Sequence, residues 1–145
     1  MSDAPNVKLH NPPDLHKPFG YSHVAEVTGG KLVYIAGQVA LDDAGSLVGK
    51  DDFAAQARKV FANLKTALRA AGASFHHVIK LNYYCADSID LAVHLPAIRD
   101  IRDTYVNTSE PPASTFVVVR RLVRPEWLIE VEAVAVVPVQ PLIEE

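Results

Sequence analysis

Residues 111–138 read PPASTFVVVRRLVRPEWLIEVEAVAVVP, and the alternation within them decides the fold. Thr115 to Val119 is a β-branched and aromatic run, Leu128 to Val137 is another, and each predicts a strand. Between them Arg120, Arg121, Arg124, Pro125 and Glu126 are too polar and too proline-broken to continue a strand, so they form a connection. Glu130 and Glu132 stand two residues apart in the second strand, which puts both carboxylates on one face and Ile129, Val131 and Ala133 on the other. Carboxylates in so apolar a strand are costly to bury without partners, so they face solvent or line a site.

Upstream of this stretch the period changes twice. Phe53, Ala57, Val60, Phe61, Leu64, Leu68 and Ala71 recur on one stripe, with Arg58, Lys59, Asn63, Lys65 and Arg69 off it, which predicts an amphipathic helix. Asp51 or Asp52 caps its start and Gly72 suits a left-handed residue past its end. His77 to Ala86 alternates as a strand. A second helix falls within Ser88 to Val106, and Pro96 argues that its main part begins near His94 or Leu95. Tyr21 to Val27 and Leu32 to Gln38 flank Gly29-Gly30 and predict a β-hairpin, with Asp42 to Gly45 a second turn.

The resulting order is ββαβαββ, an α+β domain with two helices on one face of the sheet. Residues 1–18, which hold Pro5, Pro12, Pro13 and Pro18, form an extended lead; 19–138 form the single domain and 139–145 a tail. Val33 to Ala36, Phe116 to Val119 and Val131 to Val137 are apolar on both faces, yet two helices cover only one. A homo-oligomer that packs sheet against sheet is the economical way to bury the other.

The 145 residues carry a net charge of −3 with 21% charged and 49% hydrophobic residues, an ordinary globular composition without the basic footprint of a nucleic-acid binder. No apolar run approaches a membrane span, and a single cysteine, Cys85, suits a reducing cytoplasm. No nucleotide-binding, zinc or hydrolase-elbow motif occurs, and no metal or cofactor is implied. His76 and His77 are adjacent on a strand entrance and point opposite ways, wrong for joint metal ligation. Cys85 reads as a small core residue, and His23 shares a strand face with Tyr21.

The pieces Tyr21-Ser22, Tyr34-Ile35-Ala36-Gly37-Gln38-Val39, Ala55-Gln56 through Asn63-Leu64, Ala70-Ala71-Gly72-Ala73, Pro112-Ala113 and Ile129-Glu130-Val131-Glu132-Ala133 occur in this order. Together they resemble the RidA (YjgF) family of imine deaminases, long labelled endoribonuclease L-PSP, over roughly residues 18 to 138. The resemblance implies a chorismate-mutase-like fold with a mixed sheet, assembled as a homotrimeric barrel with small-molecule clefts between subunits. It implies a catalytic glutamate at Glu130, a cleft tyrosine at Tyr21 and a cleft glycine at Gly37. Ser114, Thr115, Phe116 and His23 become substrate contacts.

The family's P-A-R-S arginine, which clamps a substrate carboxylate, does not carry over: Ser114 stands there, and Phe116 replaces the cysteine that follows. Arg120 lies about 20 Å further along an extended strand, too far to substitute within one subunit. Arg99, Arg102 or a neighbouring subunit's Lys31 are the candidates to approach in its place. The expected activity is hydrolytic deamination of an enamine or imine, with a substrate altered from 2-aminoacrylate. The alternatives are a non-catalytic metabolite-binding or regulatory trimer and, from the old label, a ribonuclease.

Overall fold

The computed structural model describes residues 6–139. In chain order it contains β1 (Val7–His10), β2 (Val24–Val27), β3 (Lys31–Gln38), α1 (Phe53–Ala70), a 3-10 turn (Phe75–His77), β4 (Val78–Ala86), α2 (Leu91–Asp103), β5 (Ala113–Val119) and β6 (Ile129–Val137). This is the expected ββαβαββ order with one more short strand, β1, inside the proline-rich lead. The main sheet runs β3-β6-β4-β5. β6 pairs antiparallel with both β3 and β4, whereas β4 and β5 are parallel, so the sheet is mixed. The parallel pair follows from α2, which supplies the crossover that parallel neighbours require.

Both helices lie on one side. α1 crosses β6 and β3, and α2 packs beside α1. Phe53, Val60, Phe61, Leu64 and Leu68 of α1 meet Val131, Ala133 and Ala135 of β6 and Leu81, Tyr83 and Cys85 of β4 in one core. The ends of α1 are where local chemistry places them. Asp52 accepts from the Ala55 N–H at 3.0 Å. Gly72 takes a φ of +73°; its N–H donates to Arg69 O, and Ala73 N–H donates to Leu68 O, a Schellman closure. Lys31 Nζ donates to Ala71 O at 2.7 Å and is thereby committed to the same helix end.

Two expectations are corrected. The Gly29-Gly30 turn does not make a hairpin: β2 pairs with β1 in a separate two-stranded ribbon, while β3 pairs with β6. Turn glycines reverse the chain but do not choose the partner. Val33 is buried on the helix side, and burying it requires the apolar β6 as neighbour. The second helix starts at Leu91, because the Asp90 side chain accepts from Ala92 N–H at 3.1 Å and nucleates a turn ahead of Pro96. Pro96 cannot bond the Ala92 carbonyl, but Ala92 and Pro96 are both exposed, so the interruption lies on the solvent side of the helix.

The face opposite the helices is open in the single chain. Tyr34 is 74% and Leu32 57% exposed there, alongside Val117. No described element covers them.

Candidate active site

The open face carries the acidic pair. Glu130 and Glu132 share it as their spacing predicts, opposite Tyr84 and Asn82 of β4. Glu132 Oε1 accepts from the Tyr84 hydroxyl at 2.7 Å and from Asn82 Nδ2 at 3.1 Å, so this carboxylate is held by two donors on the neighbouring strand. The same bond raises the Tyr84 hydroxyl above the usual phenol range and keeps it a donor. Glu130 has no such donors among the described residues. It is half-buried, and burial, followed by the negative charge of Glu132, raises its carboxyl above the ordinary glutamate value.

Gly37 makes the room for Glu130. The register of β3 against β6 slips between Ile35 and Gln38, and at this irregularity the Glu130 carboxylate occupies the space where a side chain on residue 37 would stand. A Cβ on Gly37 would meet Glu130 Oε2 and lie 2.8 Å from Cδ. Gly37→Ala is therefore expected to leave the fold intact but swing Glu130 outward, lowering any Glu130-dependent rate by roughly tenfold or more. Kinetics beside a thermal melt check this, and an unchanged rate contradicts it.

A cleft of 380 Å³ opens beside the pair, lined by Tyr84, Val119, Arg121, Leu122, Glu130 and Glu132 among others. Arg121 is fixed by its own loop, Nε donating to Leu122 O at 3.1 Å and Nη2 to Val123 O at 2.9 Å. The loop that leads into β6 is tied down from beneath by Gln56. This fully buried side chain donates to Gly49 O and Glu126 O and accepts from Leu128 N–H. Sequence reading quoted Gln56 without seeing this role, since a polar residue next to the apolar stripe of a helix gives no sign of which loop it will meet.

The remaining candidates gather elsewhere. Ser22 runs beside the start of β5, its N–H donating to Pro112 O at 3.1 Å and its hydroxyl to Pro111 O at 2.5 Å. Tyr21 and His23 flank it on the opposite side, as alternation predicts. Tyr21 OH is hydrogen-bonded to His16 Nε2 at 2.8 Å, and His23 Nε2 to His16 O at 2.7 Å. His16 sits in the lead, where no period singles it out. The trio Ser114, Thr115 and Phe116 divides between the two faces. Thr115 lies on the open face and accepts from Lys80 Nζ at 2.7 Å. Ser114 and Phe116 face the helices, paired with Leu81 and Tyr83, and Phe116 stacks on Tyr83 at 5.4 Å.

Topology keeps these groups apart within one chain. β3, with Gly37, is one edge of the sheet; β5, with Ser114 and Phe116, is the other. Cys85 is fully buried, and burial pushes its thiol up to about 12. It is expected to resist a thiol reagent at pH 8 in the native protein and to react stoichiometrically once unfolded; rapid native labelling would contradict the core role.

A small mixed sheet with two helices on one face is the fold that this chain shares with solved structures of Rid-family proteins. The chain belongs to that family: the family model described as "Endoribonuclease L-PSP" matches residues 15–137. It is 34% identical to protein DfrA of Myxococcus xanthus over 116 residues, 80% of this chain and 84% of that one. It is 31% identical to a mouse (Mus musculus) protein named 2-iminobutanoate/2-iminopropanoate deaminase, again over 116 residues and 80% of each chain. Among solved structures, YyfB of the conserved Rid family from Yersinia pestis superposes with a TM-score of 0.81 at 39% identity, covering 91% of this chain and 99% of that one. RidA from a Psychrobacter species gives 0.65 at 26% identity, covering 91% and 98%.

Proposed function

We propose that this protein hydrolyses a small enamine or imine, with Glu130 as general base. The observation that carries the reading is Glu130 itself, a half-buried carboxyl raised by burial and by Glu132, seated over Gly37 beside an open cleft. A raised carboxylate is a stronger base near neutrality. In the reaction Glu130 takes a proton from water as the oxygen adds to the C=N carbon, and passes that proton to the nitrogen. Glu130 then takes the proton of the carbinolamine hydroxyl and delivers it to the nitrogen as the C–N bond breaks, so that C=O forms, ammonia leaves and Glu130 is again ionised. Relatives named 2-iminobutanoate/2-iminopropanoate deaminase support the reaction class.

The complete site in this reading is an intersubunit cleft of a homotrimer. Support comes from the opposite edges that carry Gly37 and Ser114, and from the exposed Tyr34 and Leu32 that a neighbouring sheet would cover. The buried free cysteine fits a cytoplasmic setting. A ribonuclease reading is opposed by the net charge of −3 and by two carboxylates in the cleft, which repel phosphate.

The direct test is ammonia release from 2-aminoacrylate generated in situ by a dehydratase, for the wild type and for Ser114→Arg. Activity in either protein supports the deaminase scaffold. If only S114R is active, the substrate of the natural chain differs from 2-aminoacrylate. Ser114 also favours a second reading, a trimer that binds a metabolite without turning it over. Saturable binding with no ammonia from either protein would select it.

A further inference from the structure

On the helix side of the sheet, turned away from Glu130, lies a second hollow of 290 Å³. It opens between the C-terminal half of α1, the 3-10 turn and the residues just past α2. α1 contributes Lys65 and Arg69, the turn contributes Ser74 and Phe75, and the end of α2 contributes Thr104 and Tyr105. Its aromatic part is anchored. Phe75 is buried, and its ring lies 5.0 Å from that of Tyr105 and 6.0 Å from that of Phe61, deep in the core.

The two cations are uncommitted. A spacing of four puts them on one face of α1, whose 18 residues include four cations, Arg58, Lys59, Lys65 and Arg69, and no carboxylate to pair with them. Neither Lys65 nor Arg69 makes an ion pair or a side-chain hydrogen bond among the described residues. Nor do they cap the helix. Leu68 O accepts from Ala73 N–H, Arg69 O from Gly72 N–H and Ala71 O from Lys31 Nζ. Arg69, in the last turn, complements the negative end of the helix dipole, but Lys65 lies a turn further in, where that effect has faded. Like charges at this spacing repel, and an anion held by both replaces that repulsion with attraction.

Charge and lining together define the ligand. A carboxylate balances one of the two cations, whereas a phosphate monoester, with close to two negative charges at neutral pH, balances both. Phe75 and Tyr105 offer an apolar surface to whatever carries the phosphate. The Thr104 hydroxyl donates to Ile101 O at 2.7 Å, which leaves Lys65, Arg69 and Ser74 as the side-chain donors for phosphate oxygens. The volume is at the small end of ligand pockets and suits a compact molecule.

We propose that this hollow binds a small phosphomonoester, its phosphate between Lys65 and Arg69 and its organic part against Phe75 and Tyr105. The site lies across the sheet from Glu130 and stands whether or not the protein is a deaminase.

Phenyl phosphate is the probe, titrated into the full chain and followed by protein NMR, with benzoate, phenol and inorganic phosphate as comparisons. It is expected to saturate and to shift the amides of Ala73 to Phe75, Thr104 and Tyr105. Phenol, which has no charge, should bind at least roughly 10-fold more weakly, and benzoate and inorganic phosphate each roughly 3- to 10-fold more weakly. Added salt should weaken phenyl phosphate, because both cations are exposed. Lys65→Gln and Arg69→Gln should each weaken it by roughly 3- to 10-fold, and the double variant by roughly 10- to 100-fold. Arg58→Gln, exposed on the same helix but outside the hollow, should leave it unchanged.

Both substituted positions are exposed, so the variants should melt like the wild type. The inference is overturned if phenyl phosphate shifts no amide around the hollow, if benzoate or inorganic phosphate binds as tightly, or if the double variant binds like the wild type. A phosphotyrosine side chain presents the same chemistry, so a short phosphotyrosine peptide is the last arm. Peptide binding roughly 10-fold tighter than phenyl phosphate would assign the hollow to a protein partner and overturn the small-molecule site.

Discussion

Glu130→Gln is expected to lower kcat/KM for ammonia release by at least roughly 100-fold, the scale set by losing a positioned general base. The amide keeps the size of the carboxylate, so it still fills the space over Gly37 and the fold is undisturbed. It cannot accept the proton of the attacking water. The pH dependence gives a second readout. The ionised carboxylate is the working form, and burial together with Glu132 raises the pH at which it forms. The acid limb of the rate profile is therefore displaced upward from the ordinary glutamate range, with activity falling as pH drops through it. Glu132→Gln removes the neighbouring negative charge, so it should move that limb back toward lower pH while keeping a measurable rate. A Glu130→Gln enzyme as fast as wild type would end the proposed mechanism.

Gln56→Leu is expected to cost about 3–5 kcal/mol of folding stability. The side chain is wholly buried and makes three hydrogen bonds, to Gly49 O at 3.1 Å, to Glu126 O at 3.0 Å and from Leu128 N–H at 2.9 Å. Leucine has similar bulk but leaves two carbonyls and one amide N–H without partners in a dry site. For a chain of this size the loss corresponds to a fall in Tm of roughly 10 °C. Catalysis should suffer with it, because Leu128 is two residues from Glu130 and sets where β6 begins. Denaturant unfolding of the variant checks the magnitude. A change below about 1 kcal/mol would mean that the loop satisfies those groups by relaxing elsewhere.

Legibility followed the range of the interactions. α1 was readable end to end, because its stripe, its Asp52 cap and its Gly72 closure all lie within a few residues of the positions they govern. The common face of Glu130 and Glu132 was readable for the same reason, since a period of two needs no knowledge of neighbours. The early strands were misread where a partner had to be chosen. Gly29-Gly30 announces a reversal, yet β2 found β1 and β3 found β6, a pairing more than 90 residues apart in sequence.

The candidate site divides in the same way. Its residue types were in the sequence, and the resemblance to the Rid family singled out Glu130, Gly37 and Tyr21. Their surroundings were not there to be read. Tyr84 and Asn82 reach Glu132 only because β4 lies beside β6 in one particular register. Which of the adjacent Ser114 and Thr115 would face the helices was set by β5 lying beside β4 in one register. Arg102 came to rest against Gly20 because α2 packs beside α1 with Ile98 buried in the shared core, a placement set by no motif. The sequence by itself determined the main strands and helices, their faces and the family, because caps and periods act locally. Which side chains meet was decided only by the tertiary structure, because that depends on strand order, register and which helix face the core takes up.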